Sequence, residues 1–157
     1  MSEFDLSRFV TAHQQGLSGY CDDYNAALHE IKSGRKQNHW IWYIFPQLAG
    51  LGHSYLAQTY AIQSLDEAKA YFEHPCLGKH YLELCEALLS LESNDARAIM
   101  GSPDDIKLRS SLTLFLCASG KDPIIQRVLD KFYGGKPDYR TLHMLGANQE
   151  SMGSNEI

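Results

Sequence analysis

Helix-start signals recur along this chain, and they constrain the fold more than any other feature of the sequence. Ser64 and Glu67 form a capping box, in which each side chain can accept a hydrogen bond from the other residue's free amide. Residues 102–105, Ser-Pro-Asp-Asp, supply a capping serine, a proline for the first helical position and two acids for the first turn. Asp122-Pro123 and Pro137-Asp138 repeat this chemistry. The pattern predicts helices that begin near each of these four sites.

Apolar side chains at helical spacing add further helices and leave little room for a sheet. They run from residue 20 to residue 31 and again from residue 77 to residue 91. The segment Trp40–Phe45 would also suit a strand, but no second β-rich run offers it a partner. We therefore predict an all-α, compact multihelical single domain of about seven to eight helices over residues 1–146, with Gly146 ending the last helix. The polar residues 147–157 are expected to form a disordered tail.

Charge, apolar runs and cysteine spacing exclude several classes of protein. The formal net charge of −5 argues against a broad nucleic-acid surface, since such a surface needs clustered Lys and Arg. The longest apolar run, Trp40–Phe45, is far too short to span a bilayer. The four cysteines contain no Cys-x-x-Cys pair, which favours reduced thiols over a disulfide framework or a zinc site. We expect a cytoplasmic protein without a membrane partner, metal or cofactor, and the oligomeric state stays open.

The densest aromatic segment of the chain runs directly into a glycine-rich turn. Aromatic side chains bury large areas, while indole N–H and phenol O–H groups still need hydrogen-bond partners. Glycines in the turn permit a close approach of the backbone. The segment is therefore predicted to form one wall and the rim of a ligand pocket. The residues expected to contact the ligand are Trp40, Trp42, Tyr43, Gln47, Gly52 and Ser54.

A polar stripe interrupts the otherwise apolar helix predicted over residues 103–117. Asp104, Lys107, Ser110 and Ser111 cluster on this stripe, and a helix that is apolar all round is a buried one. One interpretation is internal pairing, with an Asp104–Lys107 ion pair and serines bonded to carbonyls one turn earlier. The other places Lys107, Ser110 and Ser111 in a pocket for an anionic or hydroxyl-rich ligand.

Histidines beside the aromatic run are candidates for acid–base chemistry because imidazole titrates near neutrality. His39 precedes Trp40 directly, and we take His39, Asp104 and Lys107 as the candidate catalytic residues. His74 and His80 are expected to be structural. The absence of His-x-x-x-His and His-Glu-x-x-His patterns argues against a metal site.

Several ordered motifs resemble a bacterial uncharacterised family called domain of unknown function 1810. The resemblance extends from about Phe9 to Leu145 and implies a small, multihelical, stand-alone cytosolic domain without an established activity. The motifs that carry it are His39-Trp-Ile-Trp-Tyr-Ile-Phe-Pro-Gln47, Gly50-Leu-Gly52, Ser64-Leu-Asp-Glu-Ala-Lys-Ala-Tyr71, His74-Pro75 with Leu77-Gly78, and Gly101-Ser-Pro-Asp-Asp-Ile-Lys-Leu-Arg-Ser-Ser-Leu-Thr-Leu-Phe115.

A fainter similarity links residues 64–75 and 107–132 to the NADAR family, whose members are associated with NAD and ADP-ribose chemistry. That resemblance implies hydrolysis of an N-glycosidic or ADP-ribose-type bond in a nucleotide derivative. The chain departs from the family in having no acidic residue between positions 39 and 63. The leading hypothesis is therefore a hydrolase with a nucleotide-type small-molecule ligand. A non-catalytic metabolite-binding or protein-interaction module is the alternative, and a purely structural aromatic run is a third.

Overall fold

The computed structural model of the chain describes residues 4–17 and 23–151, with side chains as far as residue 146. Within these ranges there is no β-strand, and an isolated parallel bridge joins Leu48 to Ile62. The all-α prediction is confirmed. The described residues form ten helices: α1 Ser7–Gln15, α2 Tyr24–Lys32, α3 Ile41–Ile44, α4 Tyr55–Thr59, α5 Leu65–Glu73, α6 Leu77–Leu89, α7 Ala96–Met100, α8 Asp104–Ala118, α9 Pro123–Tyr133 and α10 Tyr139–Ser151.

Side-chain caps begin several helices where the sequence predicts them. The Ser64 hydroxyl accepts a hydrogen bond from the Glu67 amide at 3.1 Å and starts α5. Asp122 caps α9 as predicted, and Asp95, which lies outside the four predicted helix starts, caps α7. The second half of the predicted capping box differs, because the Glu67 carboxylate accepts the amide of Gln63 at 2.7 Å instead of the Ser64 amide. The box therefore fixes the residue before the cap as well as the helix itself.

Two helix boundaries differ from the predictions. The long helix α8 begins at Asp104, and Pro103 rather than Ser102 occupies the position before it, without a side-chain cap. The last helix, α10, passes through Gly146 and ends at Ser151, so the predicted stop at Gly146 is wrong. Glycine weakens a helix but does not end one unless its backbone turns to positive φ. Of the predicted tail, residues 152–157 lie outside the described residues.

Helix α8 runs through the centre of the core, as its apolar circumference predicts. It packs most extensively against α5 and α9, and it also contacts α3, α7 and α10. Phe115 on α8 is fully buried between Tyr71 and Tyr81, with ring centroids 5.1 Å and 4.5 Å away. Phe45 continues this aromatic cluster by packing edge-on against Tyr81. The aromatic segment is thereby anchored against the central helix.

The junction between α5 and α6 requires a glycine. A Cβ atom on Gly78 would lie 1.9 Å from the Phe72 carbonyl oxygen, which is far inside van der Waals contact. The absence of a side chain at Gly78 lets α6 begin directly against the end of α5.

The segment between Leu48 and Ile62 is closed at its base by backbone hydrogen bonds. The Ala49 amide donates to the Ile62 carbonyl at 2.8 Å, and the Ile62 amide donates to the Gln47 carbonyl at 2.9 Å. Helix α4 lies within this closed segment, and none of its residues is buried. Arg8 on α1 donates to the carbonyls of residues 59 and 61, which ties the segment to the first helix. No helix in the described ranges has the length and apolar character needed to cross a bilayer.

Candidate functional site

A narrow pocket opens beside Trp42, at the place where the aromatic segment meets α8. Its accessible cavity volume is about 10 Å³, and the empty space including the open mouth totals about 280 Å³. The segment 41–60 supplies most of the walls, and α8 contributes Lys107 on one side. The lining residues are Ile41, Trp42, Phe45, Gln47, Leu48, Gly52, Ala57, Tyr60 and Lys107. The pocket thus includes four of the predicted site residues, and it is mostly apolar with a few polar groups, as is typical of small-molecule sites.

Trp42 and Lys107 give this pocket its hydrogen-bond donors. The indole Nε1–H of Trp42 is buried and has no hydrogen-bond partner among the described residues. The Lys107 ammonium lies 5.9 Å from the centroid of the Trp42 ring. A buried donor without a partner costs about 1–3 kcal/mol, so a donor in a pocket wall favours a ligand that carries an acceptor.

Lys107 shares one carboxylate with a second lysine. Asp104 lies 2.8 Å from the Lys36 ammonium and 3.9 Å from that of Lys107. The Lys36 ammonium also lies over the Trp40 ring at 4.9 Å. Two ammonium groups share one carboxylate, so positive charge remains in excess beside the pocket. Lys107 is farther from Asp104 than Lys36 is, and its side chain is more exposed, so its ammonium is available to an anionic group.

The glycine turn allows α4 to close against the pocket. A Cβ atom on Gly52 would lie 2.7 Å from the Cβ of Ala57, so any larger residue would push α4 outward. The exposed Ser54 caps α4, with its hydroxyl accepting the Ala57 amide at 3.1 Å. Gln47 lines the pocket directly. Ser54 therefore supports the wall without lining the pocket.

Trp40 and Tyr43 belong to the core and do not line this pocket. Both are fully buried, and the Trp40 indole donates at 2.9 Å to the carboxylate of Glu30 on α2. That carboxylate also accepts the amides of Gln37 and Asn38, so it organises the loop between α2 and α3. Burial opposes the charged form of Glu30, but these hydrogen bonds outweigh it and hold the pKa below its usual value. The short helix α3 thus turns Trp42 toward the pocket and its neighbours inward.

The serines of the polar stripe are paired inside the protein. Ser111 is fully buried and shares a hydrogen bond of 2.9 Å with the Tyr81 hydroxyl. Ser110 donates to the Ile106 carbonyl and to Asp138, which lies just before α10. Neither serine lines the pocket, and His39 is exposed and lies outside it as well. Ser110 thus bonds to the carbonyl one turn earlier, as in the first interpretation, whereas Ser111 is paired internally with Tyr81 instead.

A second polar cluster, absent from the predicted site, lies between α1, α2 and α6. His13 contacts the Tyr43 carbonyl oxygen and His80, and His80 in turn lies 3.8 Å from the Cys76 sulfur. The Tyr24 ring stacks on His80 with centroids 3.6 Å apart. His80 was expected to be structural, and His13 is 67 residues away from it in sequence. The spacing of Cys76 and His80, four residues apart at a helix start, is the one sequence signal that could have indicated this cluster.

Comparison with known proteins adds a family to this geometry. The family model described as "Protein of unknown function (DUF1810)" matches residues 3–145. The chain belongs to the DUF1810 family. A crystal structure of the conserved hypothetical protein Rv1873 from Mycobacterium tuberculosis has a TM-score of 0.84 and 41% sequence identity, covering 92% of this chain and 98% of that chain. No curated protein is matched.

For a DUF1810 member, these comparisons support the fold and the family without naming a reaction. The similarity to the NADAR family is not shown by them and stays a prediction. Among the described residues, no three His, Cys, Asp or Glu side chains are grouped so that they could hold a metal ion. The chemistry therefore has to be argued from the two polar clusters.

Proposed function

We propose that this protein binds a small nucleotide-type ligand in the pocket beside Trp42. The observation that carries the proposal is the buried, unpaired indole N–H of Trp42 in a pocket that Lys107 also lines. A planar ring would lie on the apolar walls once the Trp42 side chain has moved aside, while a phosphate or carbonyl oxygen would accept from the ammonium and from the indole N–H that this movement uncovers. Hydrogen bonds to a charged group are worth about 1.5–3 kcal/mol each, so a phosphate would gain more than a neutral group.

The size of the pocket limits which part of a ligand is enclosed. Its accessible cavity volume is about 10 Å³, which admits about one water molecule and is far below the roughly 300–1,000 Å³ typical of sites that bury a whole drug-sized ligand. A base or a ribose would therefore enter only after the Trp42 side chain moves aside, and the remainder of a dinucleotide or of ADP-ribose would extend past Lys107 toward solvent. This favours mononucleotides and ribose phosphates over larger derivatives as the minimal ligand.

The catalytic form of the proposal is hydrolysis of an N-glycosidic bond in such a ligand. The oxocarbenium-like transition state of that reaction needs a nearby anion, and Asp104 is the predicted carboxylate next to Lys107. Movement of Lys107 toward a ligand phosphate would leave Asp104 with Lys36 as its partner. Neither His39 nor Asp104 lines the pocket, but Asp104 is paired with Lys107, which does, so Asp104 carries this hypothesis. Binding without turnover would correspond to the non-catalytic metabolite-binding alternative.

The decisive experiment measures thermal stability and tryptophan fluorescence with AMP, adenosine, ribose 5-phosphate, NAD and ADP-ribose at millimolar concentration. A ligand at about 100 times its dissociation constant stabilises by about 2.7 kcal/mol, which raises the unfolding midpoint by roughly 5–10 °C at this chain length. We expect AMP to exceed adenosine because of the ammonium. We also expect fluorescence quenching to be lost in Trp42→Phe, which keeps a ring but removes the N–H.

Matched variants separate the pocket from general charge effects. Lys107→Ala should abolish the shift, whereas Lys69→Ala on the exposed face of α5 should leave it unchanged. Turnover is then followed by chromatographic detection of the released base, in the original protein and in Asp104→Asn. The absence of a midpoint shift with every compound would reject the proposal, and equal shifts in both lysine variants would place the ligand elsewhere.

A further inference from the structure

A continuous line of hydrogen-bonding groups leads from the core to a half-buried thiol at the start of α6. The His13 Nε2 lies 2.7 Å from the Tyr43 carbonyl oxygen, and the His13 Nδ1 lies 2.9 Å from the His80 Nδ1. The His80 Nε2 lies 3.8 Å from the sulfur of Cys76. This line is separate from the Trp42 pocket, and the inference drawn from it does not depend on the proposed ligand.

The hydrogen-bond partners determine which ring nitrogens carry protons. A carbonyl oxygen only accepts, so the His13 Nε2 must donate to Tyr43. Burial lowers the pKa of His13 to about 4, which keeps the ring neutral near pH 7 and leaves a lone pair on its Nδ1. The His80 Nδ1 must therefore donate to His13. Its own Nε2 is then the unprotonated nitrogen, and it faces the Cys76 thiol.

Neighbouring groups hold the His80 ring in this orientation. The two imidazole planes differ by 7°, so the hydrogen bond between them lies in the ring plane. The Tyr24 ring stacks flat on the His80 ring, with centroids 3.6 Å apart, and the Tyr24 hydroxyl donates to the Glu83 carboxylate. Burial lowers the pKa of His80, while Glu83 favours and Lys79 opposes its protonation. The ring is thus a neutral, oriented base near pH 7.

The position of Cys76 in the backbone is also fixed. It is the residue directly before α6, a helix of 13 residues. The amides of Cys76 and Leu77 both donate to the His74 Nδ1, which fixes the backbone at this point. The sulfur is partly accessible to solvent. A partly accessible thiol next to an oriented base is the arrangement found in reactive cysteines.

We propose that Cys76 is a nucleophilic thiol with His80 as its proton acceptor, His13 as the positioning residue, and small hydroperoxides as its electrophile. The thiol proton moves to the His80 Nε2, and the thiolate attacks one oxygen of the peroxide. The O–O bond breaks, and the leaving hydroxide (or alkoxide, from an alkyl hydroperoxide) takes the proton from His80 to become water (or an alcohol). The sulfur is oxidised to sulfenic acid while the peroxide is reduced, so no further reactant is needed.

Two other cysteines serve as internal controls. Cys85 is fully buried and Cys117 is partly buried, and burial raises the pKa of both thiols. Cys117 is partly exposed to solvent, as Cys76 is, but among the described residues no histidine is hydrogen-bonded to Cys117. Reduced protein is treated with hydrogen peroxide, sulfenic acid is trapped with dimedone, and the rate at each cysteine is read by peptide mass spectrometry. We expect Cys76 to react at least about tenfold faster than Cys117 at pH 7.

Variants then test the two histidines separately. His80→Asn should slow the reaction of Cys76 about tenfold or more and leave Cys117 unchanged, because general-base assistance is typically worth at least that much. His13→Ala should slow the Cys76 reaction less than His80→Asn does. His13→Asn should restore the rate lost in His13→Ala, because the asparagine oxygen can accept from the His80 Nδ1. His143→Asn on the exposed side of α10 is the matched control. Circular dichroism establishes that each variant is folded.

Each outcome decides the proposal. Equal rates at Cys76 and Cys117 in the folded wild-type protein would overturn it, as would an unchanged Cys76 rate in folded His80→Asn. Should His80→Asn fail to fold, the wild-type comparison of the two cysteines decides alone. An unchanged Cys76 rate in folded His13→Ala would remove His13 from the positioning role while leaving the Cys76–His80 pair.

Discussion

Replacing Glu30 should separate the stability of the aromatic segment from that of the surrounding helices. Its carboxylate accepts four hydrogen bonds: the Gln37 amide at 2.9 Å, the Asn38 amide at 3.1 Å, the Asn38 side-chain amide at 2.7 Å and the Trp40 indole at 2.9 Å. Trp40 is fully buried, whereas Gln37 and Asn38 are exposed. Water can therefore replace Glu30 as the acceptor for Gln37 and Asn38, but it cannot reach the Trp40 indole.

The magnitude follows from that difference. In Glu30→Ala, the buried indole loses its acceptor, which lowers the unfolding free energy by about 1–3 kcal/mol. The loop also loses hydrogen bonds to a charged group, and water replaces these only partly. We expect a total of about 3 kcal/mol. In Glu30→Gln, one oxygen still accepts from Trp40 but the charge is lost, and about 1 kcal/mol is expected. The low pKa of Glu30 means that its contribution is present above the usual carboxyl range and is lost as pH falls through the folded-state value.

Urea unfolding followed by circular dichroism measures these differences through the midpoint at constant m-value. Glu86→Ala is the control, because Glu86 is exposed on α6 and its side chain has no hydrogen-bond partner among the residues that the structure describes. Neutral surface substitutions change the unfolding free energy by up to about 0.5 kcal/mol. A change for Glu30→Ala that lies within about 0.5 kcal/mol of the control would therefore refute the reasoning. Equal losses for the Ala and Gln variants would show that the charge, rather than the acceptor atom, stabilises the segment.

Three further predictions test other parts of the structure. The pKa of His13 is depressed to about 4 against 6.5 in the unfolded chain, so up to about 3 kcal/mol of stability should be lost between pH 6.5 and 4. Urea midpoints across this range should fall less steeply in His13→Gln. Gly78→Ala should cost about 2–3 kcal/mol by thermal unfolding, because its Cβ overlaps the Phe72 carbonyl, whereas Gly146→Ala, with open space around it, should be neutral or stabilising. Asp122→Ala should lower the unfolding free energy by about 1 kcal/mol, and a result near zero would mean that water caps α9 equally well.

Helix starts could be predicted from the sequence because capping acts over two or three residues. Asp122 and Ser64 bond to amides next to them in the chain, so the signal and its partner are read together. The stop at Gly146 was wrong for a related reason. A glycine ends a helix only when its backbone adopts positive φ, and that choice depends on what the next residues pack against.

The site was less predictable because its contacts join distant parts of the chain. A four-residue helix has too little periodicity to show that Trp40 faces the core and Trp42 the pocket. Ser111 bonds to Tyr81, 30 residues earlier, and His13 bonds to His80, 67 residues later. Patterns within a short window contain no information about such pairs. The tertiary packing of α1, α6 and α8 decides them.

The closed segment between Leu48 and Ile62 has a consequence for any ligand of the Trp42 pocket. Ordering a loop costs conformational entropy, and a ligand that had to order its own binding wall would bind more weakly by that amount. Here two backbone hydrogen bonds and Arg8 hold the wall in place before a ligand arrives. Affinity is therefore set partly by residues that never touch the ligand, and loosening Arg8 should weaken binding while every pocket side chain stays the same.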